Sequence, residues 1–152
     1  MPNVPPPAPP RPSLPPPPGW PRISSALFYD DAAAAIDWLE RAFGFATRLR
    51  VEDGAGRIVH SELELGGGLV MVASAREGGQ SPRAFGGANT QSLFVYVEDV
   101  DAHCARARTC GARIVSEPAN RDYDAWEDRT YEALDAEGHR WWFGQRVRTG
   151  SS

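Results

Sequence analysis

Apolar positions along this chain change period in a fixed order, and the order occurs twice. From Ile23, ISSALFYD alternates as a short strand does, and Ala32 to Phe43 (AAAAIDWLERAF) then switches to helical spacing, with Ile36, Leu39 and Phe43 on one side. Asp30 or Asp31 can cap the start of that helix and Gly44 can stop it. Three strands are predicted next, over Ala46–Glu52, Arg57–Leu65 and Leu69–Ser74, separated by the turn signals DGAG and GGG. A stretch rich in Gly and Ser runs from Ala75 to Asn89. The order then starts again with a strand at Gln91–Val97 and a helix at Val100–Cys110, capped by Asp99 or Asp101 and ended by Gly111. Strands at Ala112–Ser116, Thr130–Leu134 and His139–Gln145 follow, with DAEG turning between the last two. Two βαβββ units of similar length predict an internal duplication and an α+β fold. Neither unit could cover both faces of a four-stranded sheet by itself.

Alternation within the strands separates two faces. One carries Ile23, Leu27, Leu93, Val95, Val97, Trp141 and Phe143, apolar enough to lie under the helices. The other carries Ala26, Phe28, Phe94, Tyr96 and Trp142, rings with a few hydroxyls nearby. That second set suits a planar organic molecule, which would stack on the rings and be oriented by sparse polar groups; the competing reading is an aromatic filling with no ligand. The segment RDYDAWEDRTY holds Tyr123, Trp126 and Arg129, and is expected either as a polar lid over the aromatic face or as a surface hairpin.

Composition changes the picture at the ends. Twelve of the 14 prolines fall between Pro2 and Pro21, where missing N–H groups and fixed φ rule out helix and central strand. Residues 1–21 are expected to be a disordered spacer, 22–147 one folded domain with modules at about 22–80 and 90–147, and 148–152 a second tail. Arg11 to Pro18 could also be read as a ligand for an SH3-like groove. The net charge of −4 comes from 20 acidic side chains and 16 basic ones, all Arg. No basic stripe marks a nucleic-acid surface, no apolar run reaches membrane-spanning length, and the first residues lack the charged n-region and apolar h-region of a secretory signal, so none is expected. Cys104 and Cys110, on different faces of a helix, are expected as reduced thiols in a cytoplasmic protein.

The motifs carry a resemblance. YDDAAAAIDWLERAFGF resembles the first-module signature of the vicinal oxygen chelate superfamily, to which glyoxalase I, extradiol dioxygenases and bleomycin-binding proteins belong. VEDVDAHCARARTCGARIV resembles its second-module counterpart, and DAEGHRWWF the turn before its last strand; together they span about residues 22 to 146. HSELELGGGLVMVAS and DRTYEALDAEGHRWWF are most similar to its glyoxalase-like branch. The resemblance implies two modules forming a cupped half-barrel, commonly as a homodimer. It also implies metal ligands in the first and last strand of each module, places taken here by Ser24, Val72 (Met71 if the register slips by one), Ser92 and Trp142. None of these is His, Glu or Asp, so no metal and no other cofactor is expected, and activities that need a Lewis acid are disfavoured.

Other candidates are weaker. His60 and Glu62 could hold one ion from a single strand face that Glu64 shares, or simply form a polar face. His139 follows the DAEG turn and reads as a turn residue. His103 and Cys104 are helix neighbours that point apart, which argues against a nucleophilic pair. The expectation is a metal-independent protein that binds a small aromatic or amphipathic molecule through Phe28, Ser92, Phe94, Tyr96, Trp126, Arg129 and Trp142. The alternatives are a glyoxalase-like lyase or isomerase with a non-standard metal site and a non-catalytic structural dimer.

Overall fold

The computed structural model describes residues 8–9 and 13–150. Its elements are β1 (Ser25–Tyr29), α1 (Ala32–Phe43), β2 (Ala46–Glu52), β3 (Ile58–Leu65), β4 (Gly68–Ser74), a short 3-10 turn (Pro82–Phe85), β5 (Leu93–Tyr96), α2 (Val100–Thr109), β6 (Arg113–Asp122), β7 (Glu127–Leu134) and β8 (Arg140–Arg148). Each helix starts where a short acid satisfies its free N–H groups. Asp31 accepts from the Ala34 N–H at 3.1 Å, and Asp99 from the Ala102 N–H at 3.0 Å. Gly44 ends α1 at φ +85°, a left-handed turn that its missing Cβ permits.

The strands form two mixed four-stranded sheets with the same order, β1-β4-β3-β2 and β5-β8-β7-β6. The first strand of each module runs parallel to the last: Leu27 pairs with Val72 and Val95 with Phe143. The sheets do not close into a barrel, and β1 and β5 are both edge strands. The duplication read from the sequence is therefore present strand for strand.

One core joins the modules on the helix side. Leu27, Tyr29, Ile36, Leu39, Phe43, Val72, Tyr131, Trp141 and Phe143 are all buried in it. Phe43 of α1 packs its ring 5.4 Å from Trp141 and 4.7 Å from Phe143. Polar clasps cross the same boundary. Glu137, in the turn before β8, accepts the Asp30 and Asp31 N–H groups at 2.7 and 2.9 Å. Tyr29 Oη donates to Asp135 at 2.6 Å, and Trp38 Nε1 donates to the Cys110 carbonyl at 2.8 Å. These buried acceptors satisfy groups that would otherwise lose water without compensation.

The structure decides between open readings and changes others. RDYDAWEDRTY takes the hairpin form of its two expected readings: β6 runs on to Asp122, β7 begins at Glu127, and the turn is at Tyr123–Trp126. Residues 119–126 are exposed at every position, on both strand faces, so no apolar alternation marks them as strand. The last strand of module one carries Val72 into the core, and Met71 takes the place on the open face. The strand expected from Gln91 starts at Leu93, so Ser92 lies just outside it. For the Pro-rich segment, residues 1–7 and 10–12 fall outside the described residues, as do 151–152. Residues 13–17 hold neither helix nor strand, and the Trp20 N–H closes a turn onto the Pro17 carbonyl at 3.1 Å.

Candidate functional site

The sheet face turned away from the helices is open, and it differs between the modules. In module two, β8 presents Trp142, Gly144 and Arg146 there, flanked by Phe94 and Tyr96 of β5 and by Glu132, Thr130 and Asp128 of β7. Gly144 sits at the centre for a steric reason. A Cβ there would come within 2.5 Å of the Phe94 ring, so glycine lets that ring lie on the sheet. Phe94 and Tyr96 meet edge to face at 5.0 Å, and each is about half exposed, at 49% and 51%.

A row of stacked groups continues from Tyr96 onto the hairpin. The Arg146 guanidinium lies 5.5 Å from the Tyr96 ring and 5.2 Å from the Trp126 ring, and Trp126 stacks on Tyr123 at 5.3 Å. Buried Asp128 fixes the row. It accepts from Arg146 Nε at 2.7 Å and from Tyr96 Oη at 2.8 Å. Burial works to raise the Asp128 pKa, but these donors outweigh it and hold the carboxyl below its usual range. Trp142 lies beneath the Arg121 guanidinium, 5.5 Å from its ring.

The expected site residues do not all meet. Phe28 rests over Gly79 beside Arg76 and lines a cavity of about 370 Å³ with Ser92, His139 and Arg140. Phe94 and Tyr96 line a second cavity, about 660 Å³, with Ser24, Ala26 and the Gly66–Gly68 turn. Trp142 lines neither, and Trp126 stands on the hairpin. Arg129 faces the helix side of β7, where Asp101 takes both its Nε and its Nη2, at 2.8 and 2.9 Å. Sequence reasoning missed Arg121, Asp128, Gly144 and Arg146. The β8 alternation that found Trp142 already placed Gly144 on the same face, and would have found Arg146 had the strand been carried to its observed end at Arg148.

Ser24, Met71, Ser92 and Trp142 supply no imidazole or carboxylate, so the donor set does not fit a divalent ion. His60 Nε2 lies 3.1 Å from Glu62 Oε1, and the other Glu62 oxygen is taken by Arg48 Nε at 3.2 Å. An ion there would have to displace the arginine. Among the described residues, no three His, Cys, Asp or Glu side chains group as a metal site. The remaining histidines are tied to the frame. His139 Nε2 donates to the Phe28 carbonyl at 2.8 Å; His103 Nε2 donates to the Phe43 carbonyl at 2.8 Å while its Nδ1 accepts from Tyr131 Oη at 2.6 Å. Burial pushes the His103 pKa down and the Cys104 thiol pKa up, which leaves both neutral and inert.

Two tandem βαβββ modules, sharing one core and keeping an open sheet face each, define the class: a two-module α+β protein built on internal duplication. The chain belongs to the Glyoxalase/Bleomycin resistance protein/Dioxygenase superfamily, whose family model matches residues 22–143. The protein Mb0911c of Mycobacterium bovis, described as uncharacterized, is 35% identical over 133 residues, 84% of this chain and 85% of its own. The crystal structure of TioX from Micromonospora sp. ML1 is 34% identical, covers 82% of this chain and 98% of its own, and superposes with a TM-score of 0.65. The fosfomycin resistance protein FosX of Listeria monocytogenes, at 11% identity, shares the fold (TM-score 0.59, covering 81% of this chain and 90% of its own). No helix among the described residues is long and apolar enough to cross a membrane.

Proposed function

We propose that this protein binds a small aromatic or amphipathic molecule on its open sheet face, without a metal, and acts as a homodimer. The observation that carries the reading is the half-exposed row of Phe94, Tyr96, Arg146 and Trp126, held rigid by Asp128 beside Trp142. Rings left accessible at such density cost solvation in the free protein and gain contact area when a planar ligand covers them. Metal independence is supported by the donor chemistry at Ser24, Met71, Ser92 and Trp142. Pairing of two chains is supported by the edge positions of β1 and β5, each with one unpaired side.

A thermal-shift screen tests the reading. Planar aromatic compounds should raise the melting temperature in a concentration-dependent way, as mass action requires. Ni²⁺, Zn²⁺, Mn²⁺ and Fe²⁺ should neither shift it nor confer turnover of the methylglyoxal–glutathione adduct. Stoichiometric metal in protein purified without a His-tag would overturn metal independence, and light scattering that returns the monomer mass would overturn the dimer.

A further inference from the structure

On the open face of module two, three arginines stand around two buried carboxylates, Asp128 and Glu132, and the pairings of those carboxylates leave Arg121 out. Arg146 is paired with buried Asp128 at 2.7 Å, and Arg140 with buried Glu132. Arg121, on β6 opposite Asp128, has a different partner: its Nε donates to the neutral Thr130 hydroxyl at 3.0 Å. Among the described residues no carboxylate lies within ion-pair distance of it, and its guanidinium lies over the Trp142 ring, 5.5 Å from the centroid. Arg129, on the helix side of β7, is already paired with Asp101. In a chain with net charge −4, an unpaired guanidinium fixed against a tryptophan is a local reversal of sign.

We infer that Arg121 is the anion anchor of this face and that the ligand is an aromatic molecule bearing a carboxylate, phenolate or similar anionic group. The inference rests on the aromatic-ligand reading above and adds the ligand's charge. Stacking of Arg121 on Trp142 orients the guanidinium plane before the ligand arrives. Its fork can then take two oxygens of an anion while the attached ring lies beside Trp142 and Phe94. The neutral Thr130 hydroxyl holds the side chain without consuming its charge.

The experiment compares naphthoate with naphthamide, equal in shape and different in charge, by calorimetric titration of the full chain at low salt. Wild type should prefer naphthoate by about fivefold or more, the scale of one charge-assisted contact at a partly exposed site. Arg121→Gln should equalise the two probes, Arg121→Lys should keep part of the preference, and Arg129→Gln, the same loss of charge on the opposite face, should leave it intact. Equal affinity for both probes in wild type would overturn the anchor while the aromatic reading stands. A preference that survives Arg121→Gln, or is lost in Arg129→Gln, would also overturn it. If neither probe binds up to its solubility limit, the aromatic reading itself fails and takes the anchor with it.

Discussion

The two modules share a backbone plan and part company on one face. Register aligns them residue by residue, because Leu27 lies beside Val72 as Val95 lies beside Phe143. On the helix side the matched positions stay apolar and buried in both, with Val70 and Val72 in one module and Trp141 and Phe143 in the other. On the open side Ala26 stands opposite Phe94, Phe28 opposite Tyr96, Met71 opposite Trp142 and Ala73 opposite Gly144. A core position must fill space whatever the protein does, whereas an open position is released from packing and is shaped by what it meets. One open-side pair is kept. Glu62 and Glu132 occupy matching places, each about 7% exposed, and each is neutralised by an arginine, Arg48 from β2 and Arg140 from β8. A buried carboxylate needs a cation, but the cation can come from either neighbouring strand.

The largest effect should come from setting the two faces of one strand against each other. Trp141→Ala should destabilise the fold by about 3–5 kcal/mol, as emptying a large core site does. Trp142→Ala, one residue on, should cost less than half of that in denaturant unfolding but weaken aromatic-ligand binding by about tenfold. Swapped behaviour would mean that the two faces have been assigned the wrong way round.

Gly144→Ala makes module two resemble module one, where Ala73 already stands. The new methyl must push the Phe94 ring off the sheet, at about 0.5–1.5 kcal/mol for the displaced rotamer. Phe94→Ala in the same background should remove the clash, so a double-mutant cycle should show coupling between the two positions. Additive effects would mean that the ring does not rest there.

A smaller contrast sits in the helices. His103 of α2 matches Ala35 of α1 when Asp99 and Asp31 are aligned as caps. Burial lowers the folded-state pKa of His103 below its unfolded value of about 6.5, so the unfolded chain takes up the proton first. Its contribution is therefore complete above about pH 7 and is lost as pH falls through the unfolded pKa toward the lower folded one. Melting temperature followed from pH 7.5 to 5 should fall, and His103→Gln should flatten that slope. The Asp128 carboxyl acts in a separate, more acidic window, because its folded pKa is depressed. The smallest effect belongs to the N-terminus: deleting residues 1–19 should move the melting temperature by about 1 °C or less, since a sequence this rich in proline and poor in large apolar side chains has little area to bury. A drop of several degrees would show that the prolines dock on module one, where Gly19 approaches Arg48.

Both modules, each helix start to within an Asp30/Asp31 or Asp99/Asp101 choice, and the two faces of β1, β5 and β8 were legible in the sequence; Ile23, expected under the helices, instead lies ahead of β1 and is 88% exposed. Period-2 and helical patterns report burial directly, and a buried position tolerates little besides an apolar side chain. The extension of β6 was not legible, because Pro118 and the polar run after it carry no apolar period. That strand lies at a sheet edge, where a proline and a bulge between Ser116 and Ala119 are tolerated. Arg129 was chosen by its neighbours in the chain, yet alternation turns it to Asp101 and brings Arg121, eight positions earlier, over Trp142. By itself the sequence determined the duplication, the α+β fold and which rings avoid the core, since each follows from the period of a local segment. Only the tertiary structure decided which arginine is neutralised, where glycine makes room for Phe94, and that Phe28 lines a different cavity from Phe94. Those outcomes depend on strand neighbours and bulges that bring distant residues together, and no local period encodes them.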